Sequence, residues 1–459
     1  MHTKFLYTIA LLLVSFQLLV AQQSVSTYKY QWLNLGMSES PEKTQAFRWR
    51  TDTTSANAVI QFREDLPSPD LTINAKTINA ISVTYNDYGI VKTYHKATLE
   101  NLTPATKYIY RIGDGNQKWS EWFQFKTAKE QSSPFTFTYI ADVQSGIVSH
   151  YPRVFRKSVE VCPESAFLLF SGDITERAED EELNNFFYAM SWLPAMKPIV
   201  VVPDNHEYHV TPGIRSRTEL ASVWGHLFSY PQNAPDSLSR LGNYYFDYQG
   251  VRFIMMNSKA FSDYEKPYKY QVLEWLEDKL KNNPNSWTII VHHQPMYSIA
   301  DGRSGTTNQK YLKPPYDKYS VDLVLSGHDH GYSRIGLRGS KSKSGKINSP
   351  VYVVSVAGEQ MYVSAYPDSC DRLASNTQLF QNVRINGNVL NFKTYDATGK
   401  LYDEFELIKK KSGKYMISKI PDYEERTELP ISRKRKYTDE EWLQLEKHRQ
   451  EYLGRITTK

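Results

Sequence analysis

The chain holds 459 residues, with 40% hydrophobic, 23% charged and 14% aromatic side chains, a balance that excludes a wholly disordered, a collagen-like and a multi-span membrane protein. Its net charge of +5 is unevenly placed: residues 409–459 alone carry 14 Lys and Arg against nine Asp and Glu, which leaves the body of the chain close to neutral. A near-neutral body lacks the basic face that a phosphate-backbone footprint requires, so nucleic acid is not an expected partner.

Residues 1–21 read as an export signal. Lys4 gives a short positive start, residues 5–20 are mostly apolar, and Ala21 precedes two glutamines. The run is too short and too poorly flanked for a stable membrane span, and no cysteine follows it for lipid attachment. The mature chain is therefore expected outside the cytoplasm: periplasmic, secreted or at the cell surface. There Cys162 and Cys370 either pair or stay free and buried.

Over residues 27–128, short alternating apolar runs such as 45–50 and 108–111 sit between turn residues. That is the pattern of a small β-sandwich, and the stretches 102–108 and 119–123 look like the late strands of a fibronectin type III-like module. A polar hinge at 129–134 opens a second unit over 134–408. Strands are expected at 135–140, 166–170, 199–202, 251–256, 287–291 and 321–325, and amphipathic helices at 183–193 and 271–280, which makes this an α/β layered domain. Beyond Tyr352 the pattern turns strand-rich, with hairpin turns at Asn386-Gly387 and Thr398-Gly399. Residues 409–459 read as a charged tail, solvated or docked, in which the basic cluster 433–436 precedes a capping-box pattern from Thr438 and a short polar helix to about Tyr452.

Five of the six strands are followed at once by residues able to hold metal or move protons. Asp142 follows the first, Asp173 the second, Asn205-His206-Glu207 the third, His292-His293 the fifth and His328-Asp329-His330 the sixth. Ligands of open α/β sheets bind beyond the carboxyl ends of the strands, so these side chains are expected to converge. Carboxylate, amide and imidazole without cysteine argue against a structural thiolate zinc site and suit a pair of metals, whose natural use is in-line displacement at phosphorus.

Asp142, Gly172-Asp173, Asn205-His206-Glu207, His293-Gln294-Pro295 and Gly327-His328-Asp329-His330, in that order, resemble the blocks of the calcineurin-like metallophosphoesterase superfamily. With the N-terminal sandwich, the chain most resembles its purple acid phosphatase branch. The resemblance implies an α/β/β/α metallophosphoesterase sandwich preceded by a small all-β sandwich. It also implies two metal ions, iron, zinc or manganese, and hydrolysis of a small-molecule phosphomonoester by a metal-bridging hydroxide. Asp173 is implied to bridge the metals, Asp142 and His330 to hold the first, and Asn205, His293 and His328 the second, with His206 binding phosphate and protonating or orienting the leaving oxygen. His293 is preferred to His292 because it aligns with the family's His-x-Pro pattern.

Three positions depart from that pattern. Glu176 stands where the purple enzymes have tyrosine, so no phenolate colour is expected, and Glu176 is either a hard oxygen ligand or a solvated carboxylate. Gln144 either reaches the first metal through its amide oxygen or hydrogen-bonds a bound water. Asp204 replaces the usual glycine before Asn205, and the turn is expected to survive if Asp accepts left-handed backbone there. His209, Arg303 and Tyr332 are further candidate substrate contacts. Two other readings are a phosphodiesterase or nucleotidase of the same fold and a non-catalytic surface-binding protein with a degenerate site.

Overall fold

The computed structural model describes residues 28–52, 57–87, 89–210, 217–264, 267–425 and 437–457. The expected export signal and the basic cluster at 433–436 lie outside the described residues. Among the described residues, no helix is long and apolar enough to cross a membrane.

Two sheets face one another at the centre. Phe135–Ile140, Leu168–Phe170 and Pro198–Val201 run parallel in the first, and Val251–Met256, Trp287–His292, Leu323–Ser326 and Val351–Val354 run parallel in the second. Apart from Pro198, every residue of these strands is buried, which is why they appear in the sequence as unbroken apolar runs. Phe137, Tyr139, Phe253, Met255, Ile289 and Val291 pack between the sheets, where the Phe137 and Phe167 rings stack at 5.2 Å. The alternate residues Ile140, Ile254, Met256 and Ile290 face outward. Helices Tyr151–Val161 and Asp180–Met190 cover the first sheet, and Ser258–Asp263 and Tyr268–Lys281 cover the second. This is the expected α/β/β/α arrangement; the helix at Tyr151–Val161 was not anticipated, although its buried Tyr151, Val154, Phe155 and Ser158 follow a helical period.

The N-terminal unit is all-β, with Phe47, Trp49, Ile60, Tyr110 and Phe125 packed between two layers of strands. It is fused to the larger unit rather than merely tethered. Gln31–Gly36 pairs in parallel with Pro198–Val201 through Leu35 and Gly36, so one layer of the sandwich continues the first central sheet into a 12-stranded whole. Arg50 secures the joint: its guanidinium lies 3.2 Å over the Trp32 ring and pairs with Asp180, while Trp32 Nε1 donates to Asn184 at 2.9 Å.

Several expectations need correction. The sheet does not end at residue 408: Leu401–Lys410 pairs with Gly413–Lys419, where Tyr415-Met416-Ile417 is too short an apolar run, between Lys414 and Ser418, to stand out from a tail in sequence. The last helix is longer than expected, Asp439–Thr457, and it docks. Its capping box forms, with the Glu441 N–H donating to Thr438 Oγ1 at 3.2 Å and the Thr438 N–H donating to the Glu441 carboxylate at 2.9 Å. Tyr452 is buried and exchanges 2.8 Å hydrogen bonds with both the N–H and the carbonyl of Leu373. Cys162 and Cys370 are free and buried in separate clusters, so they do not pair. Tyr332 is a core residue: its hydroxyl donates to Asp403 at 2.8 Å, and the same carboxylate takes both arms of buried Arg334 at 2.7 and 3.0 Å.

Candidate metal centre

All five motif blocks follow the carboxyl ends of central strands, so their loops meet at one edge of the two sheets. The backbone there is unusual. Asp142, Asp173, His328 and His330 have φ of 47°, 52°, 74° and 45°. Left-handed backbone at a non-glycine residue costs on the order of 1–3 kcal/mol and persists where the surroundings over-determine it, typically at functional sites. Glycine at 327 makes the close approach possible, because a Cβ there would lie 2.4 Å from Asp142 Oδ2 and 3.0 Å from His293 Nδ1.

His293 Nε2 lies 2.8 Å from Asp173 Oδ2 and 3.6 Å from Asp142 Oδ1, and His330 Nε2 lies 3.6 Å from that same Asp142 oxygen. One ligand atom each from Asp173, His293 and His328 falls within 4.8 Å of the other two. Backbone carbonyls fix the rings. His293 Nδ1–H donates to Ser171 at 2.8 Å and His330 Nδ1–H to Gln360 at 2.9 Å, which turns both Nε2 lone pairs toward the carboxylates. Asp173 Oδ2 and His293 Nε2 are buried and, apart from each other, have no hydrogen-bond partner among the described residues.

The electrostatics suit a cation. Burial pushes Asp142 up to about 7, against the pull of His293. Asp173 is held below the ordinary carboxylate range: burial opposes ionisation there, but His293 and His206 outweigh it. Burial holds His330 down to about 3 and His328 well below its usual value, so both stay neutral, the form in which imidazole ligates metal. His293 goes the other way, because the neighbouring Asp173 and Asp142 overcome its burial. Two buried carboxylates in contact with several imidazoles, of which His328 and His330 are held neutral, form a donor set that fits metal ions.

Asn205 and His206 lie in the short turn Asn205–Glu207, placed against Asp173 by the His206 N–H donating to Asp173 Oδ1 at 3.0 Å. His206 Nδ1–H donates to the Glu176 carbonyl at 2.7 Å, and its Nε2 lies 3.9 Å from Asp173 Oδ2. Glu176 thus orients His206, and its carboxylate accepts from Ser145 at 3.2 Å. Gln144 is buried beside His330, with its Nε2 donating to His330 Nε2 at 3.0 Å. His292 turns the other way, stacked against Tyr316 with Nδ1–H on the Gln294 carbonyl. His209 pairs across a two-stranded ribbon with Glu219. Arg303 is held beside the site: it donates to the His328 carbonyl, and its guanidinium lies 4.6 Å over Tyr362. With Ser262, Gln294, Ser298, Asn308 and His328 it lines a cleft of about 240 Å³.

Sequence reasoning gave no role to Glu207, although the motif contains it. This buried carboxylate accepts the N–H groups of Asp173, Ile174 and Asp204 at 3.0, 2.8 and 2.9 Å, tying two motif loops together. Ser171 and Gln360 act through main-chain carbonyls, which no side-chain pattern reveals.

Asp204 does not adopt left-handed backbone. Its φ is −145°, and the residue is retained for its side chain. The buried carboxylate accepts the Asn205 N–H at 2.9 Å, the Lys259 N–H at 2.8 Å, the Ser258 hydroxyl at 2.5 Å and the Gln294 amide at 3.3 Å. It therefore joins the loops bearing Asn205 and His293 to the helix Ser258–Asp263. Asp204→Gly, although it installs the residue the resemblance implies, is expected to lower stability by about 2–4 kcal/mol, since each buried donor left unpaired costs about 1–3 kcal/mol. Urea denaturation measures this, and unchanged stability would refute the bracing role.

Comparison with known proteins agrees with this fold. Residues 31–127 match the family described as the purple acid phosphatase N-terminal domain, and residues 135–332 match the calcineurin-like phosphoesterase family. A purple acid phosphatase from Glycine max is 28% identical over 270 residues, covering 55% of this chain and 55% of that protein. The Fe(3+)-Zn(2+) purple acid phosphatase 12 of Arabidopsis thaliana is 28% identical over 281 residues, covering 56% of each. These matches span little more than half the length of the relatives. A solved purple acid phosphatase from yellow lupin seeds shares the fold, with a TM-score of 0.66 at 16% identity over 85% of this chain and 74% of that one.

Proposed function

Because the chain belongs to the calcineurin-like metallophosphoesterases, on their purple acid phosphatase-like branch, we propose that it is an exported binuclear-metal phosphatase acting on small phosphomonoesters. The observation that carries this reading is the cluster of Asp142, Asp173, His293, His328 and His330, in which one ligand atom each from Asp173, His293 and His328 falls within 4.8 Å of the other two and the buried Asp173 Oδ2 and His293 Nε2 have no partner but each other among the described residues. Asp142 and His330 would hold one metal, Asn205, His293 and His328 the other, and Asp173 would touch both. Iron, zinc and manganese all suit this donor set. When bound, such a pair supplies Lewis-acid charge and an activated water.

The chain's own residues do the rest. Carbonyls of Ser171 and Gln360 fix the ligating rings, and Asp204 and Glu207 hold the loops that carry them. His206, oriented by Glu176, presents Nε2 on the side of Asp173, where it donates a proton to the leaving alcohol oxygen. Arg303, braced by Tyr362 and the His328 carbonyl, offers its remaining guanidinium N–H groups to phosphate oxygens in the adjoining cleft.

The test pairs elemental analysis of the purified chain with phosphate release from an aryl monoester and a matched diester. Two metal equivalents, with monoester release that chelation stops and re-metallation restores, are the expected result. Faster diester turnover would move the assignment to a phosphodiesterase, and an absence of bound metal and of release would sink it.

A further inference from the structure

A second, basic cleft of about 580 Å³ lies where the sandwich meets the larger unit. Arg48 and Lys96 are directly opposite one another on the paired strands Gln45–Thr51 and Ile90–Leu99, and both line it; Ser229 and Tyr230 line it from the far side. Like charges facing each other across a strand pair repel. Here no carboxylate of the described residues relieves them. Arg48 Nε donates to Ser229 Oγ at 3.1 Å, and neither the Arg48 Nη groups nor Lys96 Nζ meets a carboxylate among the described residues. Glu39 and Glu100, which also border the cleft, are exposed and pair with neither, and Arg240 is held by Asp236. Burial pushes the Arg48 guanidinium down to about 10, and burial followed by Arg48 itself lowers the Lys96 ammonium.

Two half-buried cations on adjacent strands, facing a cleft in which no carboxylate of the described residues pairs with them, are unfavourable for the fold alone and favourable once an anion sits between them. We propose that this cleft is a binding site for a phosphoryl-type oxyanion, either inorganic phosphate or the phosphate group of a small molecule. Arg48 is the guanidinium donor, Lys96 the ammonium donor, and Thr44 and Thr98 line the same cleft. An anion held there touches both units and strengthens the joint formed by Gln31–Gly36 and Pro198–Val201. The site is separate from the metal centre and does not depend on that centre's activity.

Equilibrium dialysis of the full chain against radiolabelled inorganic phosphate tests this, with Lys96→Gln and the double variant Arg48→Gln/Lys96→Gln alongside. The wild-type chain is expected to bind one phosphate more than the double variant, and Lys96→Gln to weaken that phosphate at least tenfold, while aryl phosphate turnover is unchanged in all three. Displacement of the label by methylphosphonate would assign the site to a substituted phosphoryl group, and failure to displace it would assign the site to inorganic phosphate. Equal binding by wild type and Lys96→Gln overturns the proposal, and this single substitution answers the question even if the double variant fails to fold. A chain without turnover that still loses a phosphate on Lys96→Gln supports the cleft and removes the phosphatase reading instead.

Discussion

Asp173→Ala is expected to abolish metal binding and phosphate release together, lowering kcat/KM by at least about 10³-fold, because the several kcal/mol of charge stabilisation supplied by bound metal is lost with its shared ligand. Asp173 sits centrally, 2.8 Å from His293 Nε2 and accepting the His206 N–H at 3.0 Å, so its removal disturbs both halves of the site. The second role gives a control. Asp173→Asn retains an oxygen for the His206 N–H but lacks the negative charge, and it is expected to keep the fold while losing metal. Metal analysis and turnover on both variants decide the matter. A variant that keeps full activity after losing Asp173 would remove the carboxylate from the centre of the mechanism.

His206→Ala is expected to lower kcat by about 10² to 10⁴-fold, the range for loss of a positioned general acid, with metal content unchanged. His206 reaches the cluster through its own backbone N–H and through the Glu176 carbonyl, not through any ligand bond to the other imidazoles, so removing its ring leaves the ligand set intact. The loss should depend on the leaving group. Alkyl phosphates, whose alcohols need a proton, should suffer far more than nitrophenyl phosphate. Equal losses for both would assign His206 to holding phosphate rather than to proton donation, and an unchanged kcat would exclude it from the chemistry.

Much of the site was legible because its residues follow strand ends in a fixed order, and strand ends are visible as apolar runs that stop at polar residues. Phe135–Ile140 and Val251–Met256 have the bounds their sequence pattern implied. The choice of His293 over His292 also rests on a local property, since successive residues at a strand's end point to opposite faces, and the structure puts His292 against Tyr316. Asp204 was misread because a substitution of glycine suggests a backbone question. The answer lies in Ser258, Lys259 and Gln294, which are 54 to 90 residues away. Gly413–Lys419 was read as tail for a similar reason: its lysines are visible locally, whereas its pairing with Leu401–Lys410 on one side and Lys346–Ile347 on the other is not.

The sequence by itself determined the two-unit organisation, the α/β/β/α layering and the identity of the metal-capable residues, because these follow from local period, turn chemistry and residue type. Only the tertiary structure decided how those residues act on one another. The left-handed backbone at Asp142, Asp173, His328 and His330, the carbonyls that fix His293 and His330, the fusion of the sandwich to the central sheet and the unpaired cations Arg48 and Lys96 all depend on segments distant in the chain. Hydrogen bonds, burial and charge are set by what is near in space, and that nearness exists only once the chain has folded.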